Sequence, residues 1–124
     1  MTPRREAFRR ALDRLRDVLR EDETAITRDA AIQRFEFCFE LGWKTIQEAA
    51  RVQGVDCASP RACGRVGFRL GWIHDEAGWL AMLEDRNLTA HTYNEELARE
   101  VYGRLPAHLA LLEATTTALP AEDT

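Results

Sequence analysis

Glycine and proline are scarce in this sequence, which has 7 glycines and 4 prolines in 124 residues. Because turn-rich β architectures use both residues heavily, their scarcity favours helices. The length suits one hydrophobic core and is too short for two. We therefore predict an all-α fold, with a single domain over residues 1–118 and a flexible tail at 119–124.

Cysteine is also rare, and long hydrophobic runs are missing. Cys38, Cys57 and Cys63 are odd in number and lack C-x-x-C spacing, which favours reduced thiols over disulfides or zinc. No apolar run approaches the roughly 20 residues of a membrane-spanning helix. We expect a soluble cytoplasmic protein with no metal, no cofactor and no membrane contact.

An excess of positive charge is absent, since 17 Lys and Arg face 21 Asp and Glu for a net charge of -4. Any nucleic-acid contact must therefore use a local basic patch. Arg61, Arg65 and Arg69 are four residues apart and form one stripe on a helix. The stripe could contact RNA or an acidic partner, or could simply face solvent. Lys44 is a further candidate contact.

The sequence does contain apolar residues at helical spacing. Thr2 and Pro3 can start a first helix, whose stripe is Phe8, Leu12, Leu15 and Leu19. A long second helix is predicted from about Arg28 to Gln53, ending at Gly54, with a stripe of Ile32, Phe35, Phe39, Trp43, Ile46 and Ala50. Phe37 and Leu41 fall on another side, so this helix is expected to be central and part of a subunit interface.

Three further helices follow in the pattern. Ser59-Pro60 can cap a third helix that ends near Gly71, and Asp75 can cap a fourth that ends around Arg86. Thr92-Tyr93-Asn94-Glu95 has the S/T-x-x-E form of a capping box, so the last helix is predicted to start near Tyr93.

Two features concern the last helix itself. Pro106 should bend or interrupt it, because proline removes one backbone donor. The chain is expected to fray from about Thr115 onward.

Arg86 and His91 form the candidate site. On one unbroken helix, residues five apart would diverge by about 140° and could not share a ligand. The predicted helix ends instead place His91 on a short connector, from which it can turn back toward Arg86. The two would then form a cationic pair beside a helix N-terminus, a setting suited to phosphate.

Such a pair can cleave RNA without a metal. Histidine can take the proton of a ribose 2′-OH or donate one to the leaving oxygen, while arginine holds the phosphate oxygens. Asn87 could orient the substrate or His91. A two-fold homodimer would supply two histidines, one for each proton transfer. By themselves, however, an arginine and a histidine five residues apart are a weak signal, and a surface pair or a helix C-cap explains them better.

Four segments of the chain carry a family resemblance: residues 34–37, 40–45, 59–61 and 82–93. Together they resemble the nucleotidyltransferase substrate-binding protein family, the HepT-like branch of the HEPN superfamily. The resemblance covers roughly residues 5–115, and R-N-x-x-x-H-x-Y over residues 86–93 is its most specific part.

The resemblance implies an antiparallel up-and-down bundle of four to five helices that forms homodimers and is encoded beside a minimal nucleotidyltransferase. It implies a ribonuclease toxin with Arg86, His91 and Asn87 in the catalytic site. The nucleotidyltransferase would be the antitoxin and would add AMP to Tyr93, bringing charge and bulk into the cleft. The alternative is a non-catalytic subunit that presents a nucleotide or other substrate to its nucleotidyltransferase.

Several other residues allow two interpretations. Trp72 and Trp79 could form a base-stacking cleft, although core packing explains them more simply. His108 is expected to be incidental. Gly42 and Gly67 fall within predicted helices, where each should cost about 1 kcal/mol relative to alanine.

Overall fold

A computed structural model describes residues 2–121, so Met1 and residues 122–124 of the predicted tail lie outside the described residues. The fold is an all-α, antiparallel up-and-down bundle, as predicted. Its five α-helices over the described range are α1 (Pro3–Leu19), α2 (Ala25–Val52), α3 (Pro60–Arg69), α4 (Glu76–Leu88) and α5 (Glu95–Ala118). A short 3-10 helix, Thr89–His91, links α4 to α5.

Each α-helix begins with a side-chain cap. In every case the capping oxygen accepts a hydrogen bond from the backbone N–H three residues later, and the caps are Thr2, Thr24, Ser59, Asp75 and Asn94. The predicted starts of α1, α3 and α4 are confirmed. The second helix starts earlier than predicted, because Thr24 and Thr27 form a reciprocal capping box.

The second helix is the centre of the bundle and contacts all four other α-helices. Of its predicted stripe, all but Trp43 are buried, and Trp43 is partly exposed. On the other side of the helix, Leu41 is half-buried and Phe37 is 56% exposed. The central position of α2 is therefore confirmed, while its place in a subunit interface stays a prediction.

The helical glycines allow close packing. A Cβ on Gly64 would collide with the indole of Trp79, and one on Gly67 would lie 2.8 Å from Cδ1 of Ile73. A Cβ on Gly42 would lie 3.2 Å from Cδ2 of Leu112. The cost of glycine in a helix is therefore offset at these positions by the close approach of neighbouring side chains.

The prediction of three reduced thiols is wrong for two of them. Cys57 and Cys63 are joined by a disulfide, with their Cα atoms 5.1 Å apart, because the chain turns back into α3 between them and brings the two Cα atoms within disulfide range. Cys38 is free and buried, and burial raises the pKa of its thiol to about 12.

The C-terminal expectations also need correction. Pro106 lies inside α5 without interrupting it, and α5 continues to Ala118 instead of fraying at Thr115. Beyond the helix Leu119 is buried, and Arg5 donates a 2.9 Å hydrogen bond to the carbonyl oxygen of Pro120. The end of α5 is therefore held against α1.

The tryptophan pair is part of the core. Trp79 is completely buried and donates its indole N–H to the carbonyl of Pro60 at 3.1 Å, while Trp72 is 5% exposed. A base-stacking cleft built on these rings is excluded. Over residues 2–121, no helix has the length and apolar character to cross a membrane.

Candidate functional site

The fourth helix runs slightly past its predicted end, so Arg86 and Asn87 occupy its last turn. Two hydroxyl groups stabilise the chain just beyond it. Thr89 donates to the carbonyl oxygen of Arg86 at 2.6 Å, and Thr92 donates to that of Thr89 at 3.0 Å. These bonds satisfy carbonyl groups that a helix end leaves without partners.

The capping box predicted at Thr92 is wrong. Asn94 caps α5 instead, with its side-chain oxygen accepting from Leu97 N at 3.1 Å. The hydroxyl of Thr92 is already used by Thr89, and α5 therefore starts at Glu95. The prediction that His91 lies on a connector between two α-helices is nevertheless confirmed.

Arg86 is supported by two residues of α2. Its Nη2 lies 3.4 Å from Oε1 of Glu40, and its Cζ lies 5.3 Å from the ring centroid of Phe39. Its Nε is buried and has no hydrogen-bond partner among residues 2–121. The side chain is 31% exposed, so α2 orients the guanidinium while part of it stays open to a ligand.

His91 and Tyr93 are both exposed, and they contact each other. Their ring centroids are 6.2 Å apart with an interplanar angle of 73°, and Tyr93 is 87% exposed. Over residues 2–121, no hydrogen bond, ion pair or ring contact joins His91 to Arg86. The structure therefore brings them to one end of the bundle, where the 3-10 helix contacts α2, α4 and α5, but not into a direct pair. Asn87 is exposed there.

A groove of about 370 Å³ lies beside Tyr93, between α2 and the connector. It is lined by Asp29, Ile32, Gln33, Glu36, Thr92 and Tyr93. Its size is within the range of small-ligand clefts, and its two carboxylates give it an acidic wall.

Arg28 fixes the start of α5 next to this groove. It is buried, and its guanidinium lies 3.0 Å from Glu23 and 3.8 Å from Glu95. It therefore ties the α1–α2 connector and the first residue of α5 to α2. Sequence reasoning missed Arg28, although its position four residues before Ile32 put a charge on the apolar stripe of α2.

A second missed residue is Asp85, which is 3% exposed and immediately precedes Arg86. Arg104 donates two hydrogen bonds of 2.8 Å to its carboxylate, and His108 Nε2 lies 2.7 Å from Oδ2. His108 also stacks on Phe35 at 5.4 Å. The expectation that His108 is incidental is wrong, and the spacing of Arg104 and His108 on one face of α5 was the signal available.

Opposing effects act on the pKa of Asp85. Burial by itself would raise the pKa of this carboxyl, but the hydrogen bonds from Arg104 and His108 outweigh it and hold the pKa below its ordinary value. Asp85 is therefore ionised at neutral pH and anchors α4 to α5 beside the candidate site.

The remaining candidate contacts lie outside this cluster. Lys44 is exposed, with its ammonium 5.9 Å from the ring centroid of Trp43. Arg61, Arg65 and Arg69 are all exposed, and within the described range none of them makes an ion pair. Their contact with RNA or a partner stays a prediction. No group of three His, Cys, Asp or Glu side chains in residues 2–121 is arranged to hold a metal ion.

Comparisons with known proteins extend these observations. The model of the family described as "Nucleotidyltransferase substrate binding protein like" matches residues 4–121. The crystal structure of a protein from Thermus thermophilus is 40% identical, with a TM-score of 0.87 over 92% of this chain and 99% of that one.

Two further matches come from Haemophilus influenzae. A solved structure described as the fold of a substrate binding domain of a nucleotidyltransferase has a TM-score of 0.80 at 23% identity, over 93% of this chain and 98% of that one. A curated relative, "Probable ribonuclease HepT", is 35% identical over 80 residues, which are 60% of this chain and 55% of that relative. The match thus spans about half the length of the curated relative.

At 23% identity the second structure supports the fold alone. The family model, in contrast, covers nearly all of the described residues, including both Arg86 and His91. The chain belongs to the nucleotidyltransferase substrate binding protein-like family.

Proposed function

We propose that this protein is a metal-independent endoribonuclease of the HepT type. The observation that carries the proposal is the position of Arg86, which α2 orients with its guanidinium partly open, at the bundle end where His91 is exposed. The relative named as a probable ribonuclease HepT supports the same chemistry.

Each residue has a distinct role in this mechanism. His91 takes the proton of a ribose 2′-OH, whose oxygen then attacks the adjacent phosphorus. Arg86 stabilises the charge that develops on the non-bridging oxygens, and Asn87 orients the substrate. The bond from phosphorus to the 5′-oxygen breaks, leaving a 2′,3′-cyclic phosphate and a 5′-OH end.

The leaving oxygen needs a proton, and a two-fold homodimer would supply it from a second copy of His91. This explains how Arg86 and His91 can function without touching within one chain. Substrate would lie between the two copies. The neutral imidazole of one copy would take the 2′-OH proton, and the charged imidazole of the other would donate a proton to the leaving oxygen.

The partner in this proposal is a minimal nucleotidyltransferase that acts as the antitoxin. The tyrosine oxygen of Tyr93 would attack the α-phosphorus of ATP, and pyrophosphate would leave. The AMP group would then sit within reach of His91, since the two rings are 6.2 Å apart, and its phosphate would repel RNA.

A second candidate function is a non-catalytic subunit that holds a nucleotide or other substrate for the nucleotidyltransferase. The lack of contact between Arg86 and His91 within one chain favours it. The family description, which refers to substrate binding, agrees with this alternative.

Incubation of the purified protein with cellular RNA separates the two functions. We expect cleavage by the unchanged protein and loss of cleavage in His91→Ala and in Arg86→Ala. His74→Ala and Arg51→Ala are matched controls, because both side chains are exposed and lie outside the site. Cleavage that persists in both site variants would refute the ribonuclease proposal.

A further inference from the structure

A second groove lies between α1 and α2. It measures about 240 Å³ and is lined by Ala7, Arg10, Ala11, Arg14, Arg34, Phe37 and Leu41. Its most exposed apolar member is Phe37, with 56% of its surface accessible. The floor is thus apolar, and one aromatic ring is available to a ligand.

The rim of this groove is positively charged. Three arginines and no carboxylate line it, and Arg10 and Arg14 make no ion pair with any residue in the range 2–121. Arg34 donates a 2.8 Å hydrogen bond to the carbonyl oxygen of Arg14, which holds its guanidinium over the groove. In a chain with a net charge of -4, this is a local attraction for anions.

We propose that this groove, the Phe37 groove, binds single-stranded RNA, with a base stacked on Phe37 and phosphates paired with the arginines. The inference rests on the proposed ribonuclease function for its choice of ligand. Exposed aromatic rings combined with arginines are the usual means of holding single strands without sequence preference.

Charge argues against a second copy of the chain as the occupant, and so against the subunit interface that the sequence predicts on the Phe37 and Leu41 side of α2. If the two-fold axis of a homodimer passed through this groove, the arginines of one copy would face those of the other. Like charges placed opposite each other at an interface are unfavourable. A phosphate backbone has the complementary charge.

The Phe37 groove is also close enough to the candidate site to guide one strand into it. Gln33 and Glu36 line the groove beside Tyr93, and the next residues, Arg34 and Phe37, line the Phe37 groove. Consecutive helical residues point about 100° apart, so the two grooves are separated by roughly the 10 Å width of α2. A single strand of a few nucleotides spans that distance.

The test uses the full chain carrying His91→Ala, so that the probe is not cut. Binding of a fluorescent oligouridylate is measured by anisotropy at several salt concentrations. Phe37→Ala should weaken binding by about five- to a hundredfold, the usual effect of losing one stacked base. The salt slope is the steepness with which the logarithm of the binding constant falls against the logarithm of the salt concentration. Arg10→Gln with Arg14→Gln should lower it by about 1.4, because each lost phosphate contact on a single strand removes about 0.7.

The matched control is Arg20→Gln with Arg51→Gln, which removes two exposed arginines that line neither groove. It should leave both affinity and slope unchanged. Arg61→Gln with Arg65→Gln tests the exposed stripe on α3 as the alternative RNA surface. If that pair lowers the salt dependence and the Arg10 and Arg14 pair does not, the Phe37 groove is not the RNA surface. If Phe37→Ala turns a dimer into a monomer, measured by light scattering, a second copy covers the groove and the inference is wrong.

The two proposals fail separately in this experiment. If the unchanged protein cuts no RNA while Phe37→Ala still loses probe binding, the ribonuclease function fails and the Phe37 groove stands. If the unchanged protein cuts RNA and all groove variants bind normally, the function stands and the Phe37 groove fails. The three substituted side chains are exposed, and circular dichroism checks that each variant is folded.

Discussion

Asp85 and His108 are joined by a 2.7 Å hydrogen bond inside the bundle, and both side chains are buried. Arg104 closes the cluster with two further bonds to the same carboxylate. Asp85 and Arg86 are neighbours on the same turn of α4. Asp85 fixes this turn to α5, and Arg86 fixes it to α2. Stability and the position of the candidate catalytic arginine are therefore linked at this turn.

Asp85→Ala should lower the free energy of unfolding by about 3 kcal/mol. Removing one member of a buried ion pair costs about 3–5 kcal/mol, and the lower end applies because the side chain of Arg104 is 46% exposed. Urea denaturation followed by circular dichroism measures the change. Glu84→Ala, an exposed neighbour on the same helix, should change stability by less than about 0.5 kcal/mol. Equal losses in both variants would contradict the role given to Asp85.

The contribution of Asp85 should disappear in acid. Its folded pKa lies below the ordinary value of 3.8, so ionised Asp85 stabilises the fold above that pH, and the stabilisation is lost as pH falls through the folded pKa. Asp85→Asn resembles the protonated form. The stability difference between the unchanged protein and this variant should be constant above about pH 5 and shrink below about pH 4. If the stability difference grows in acid instead, the fold raises the pKa of Asp85 and does not lower it.

Two glycine substitutions should change stability in opposite directions. Gly64→Ala places a methyl group against the indole of Trp79 and should destabilise the fold by about 1–3 kcal/mol, the usual cost of overpacking. Gly103→Ala, on α5, has no atom within 4 Å of the new Cβ and should stabilise by up to about 1 kcal/mol. Thermal unfolding of both variants measures the difference. A stabilised Gly64→Ala would mean that Trp79 can move aside.

Periodicity and caps were sufficient to predict the helices, because each depends on residues near one another in the chain. Ser59 and Asp75 cap α3 and α4 as predicted. The failure at Thr92 has a local cause, since its hydroxyl had two possible partners and bonds to Thr89. A pattern of four letters does not distinguish an acceptor hydroxyl from a donor hydroxyl.

The sequence names candidate site residues but does not specify how they are arranged. The motif over residues 86–93 names Arg86 and His91, but nothing in it indicates that Glu40 and Phe39 hold the arginine. The Asp85–His108 bond likewise joins residues 23 positions apart. Such contacts depend on how α4 and α5 pack, which a single sequence does not specify.

Glu40→Gln tests whether orientation of Arg86 matters for turnover. The ion pair is partly exposed on both sides, so its loss should change stability by less than about 1 kcal/mol. Turnover of RNA should fall by about ten- to a hundredfold, because a displaced catalytic group is costly, while KM stays equal or falls as a negative charge is removed. Steady-state kinetics separate kcat from KM.

Glu48→Gln is the matched control for this variant. Glu48 lies on the same helix and pairs with Arg4 at 3.2 Å, with similar exposure, yet it lies outside the site. It should leave kcat unchanged. A fall in kcat of the same size in both variants would mean that any lost ion pair on α2 impairs the enzyme, and Glu40 would have no special role.

Tyr93 should be the residue that the partner nucleotidyltransferase modifies. It is 87% exposed beside His91, whereas Tyr102 is half-buried on α5. After incubation with the partner and ATP, mass spectrometry should find AMP on Tyr93 and none on Tyr102. Tyr93→Phe should still cut RNA and should resist silencing, because it lacks the acceptor oxygen. Tyr102→Phe, the matched control, should be silenced normally. If Tyr93→Phe is silenced as fully as the unchanged protein, the switch does not use this residue, and the partner inhibits by binding or by modifying another residue.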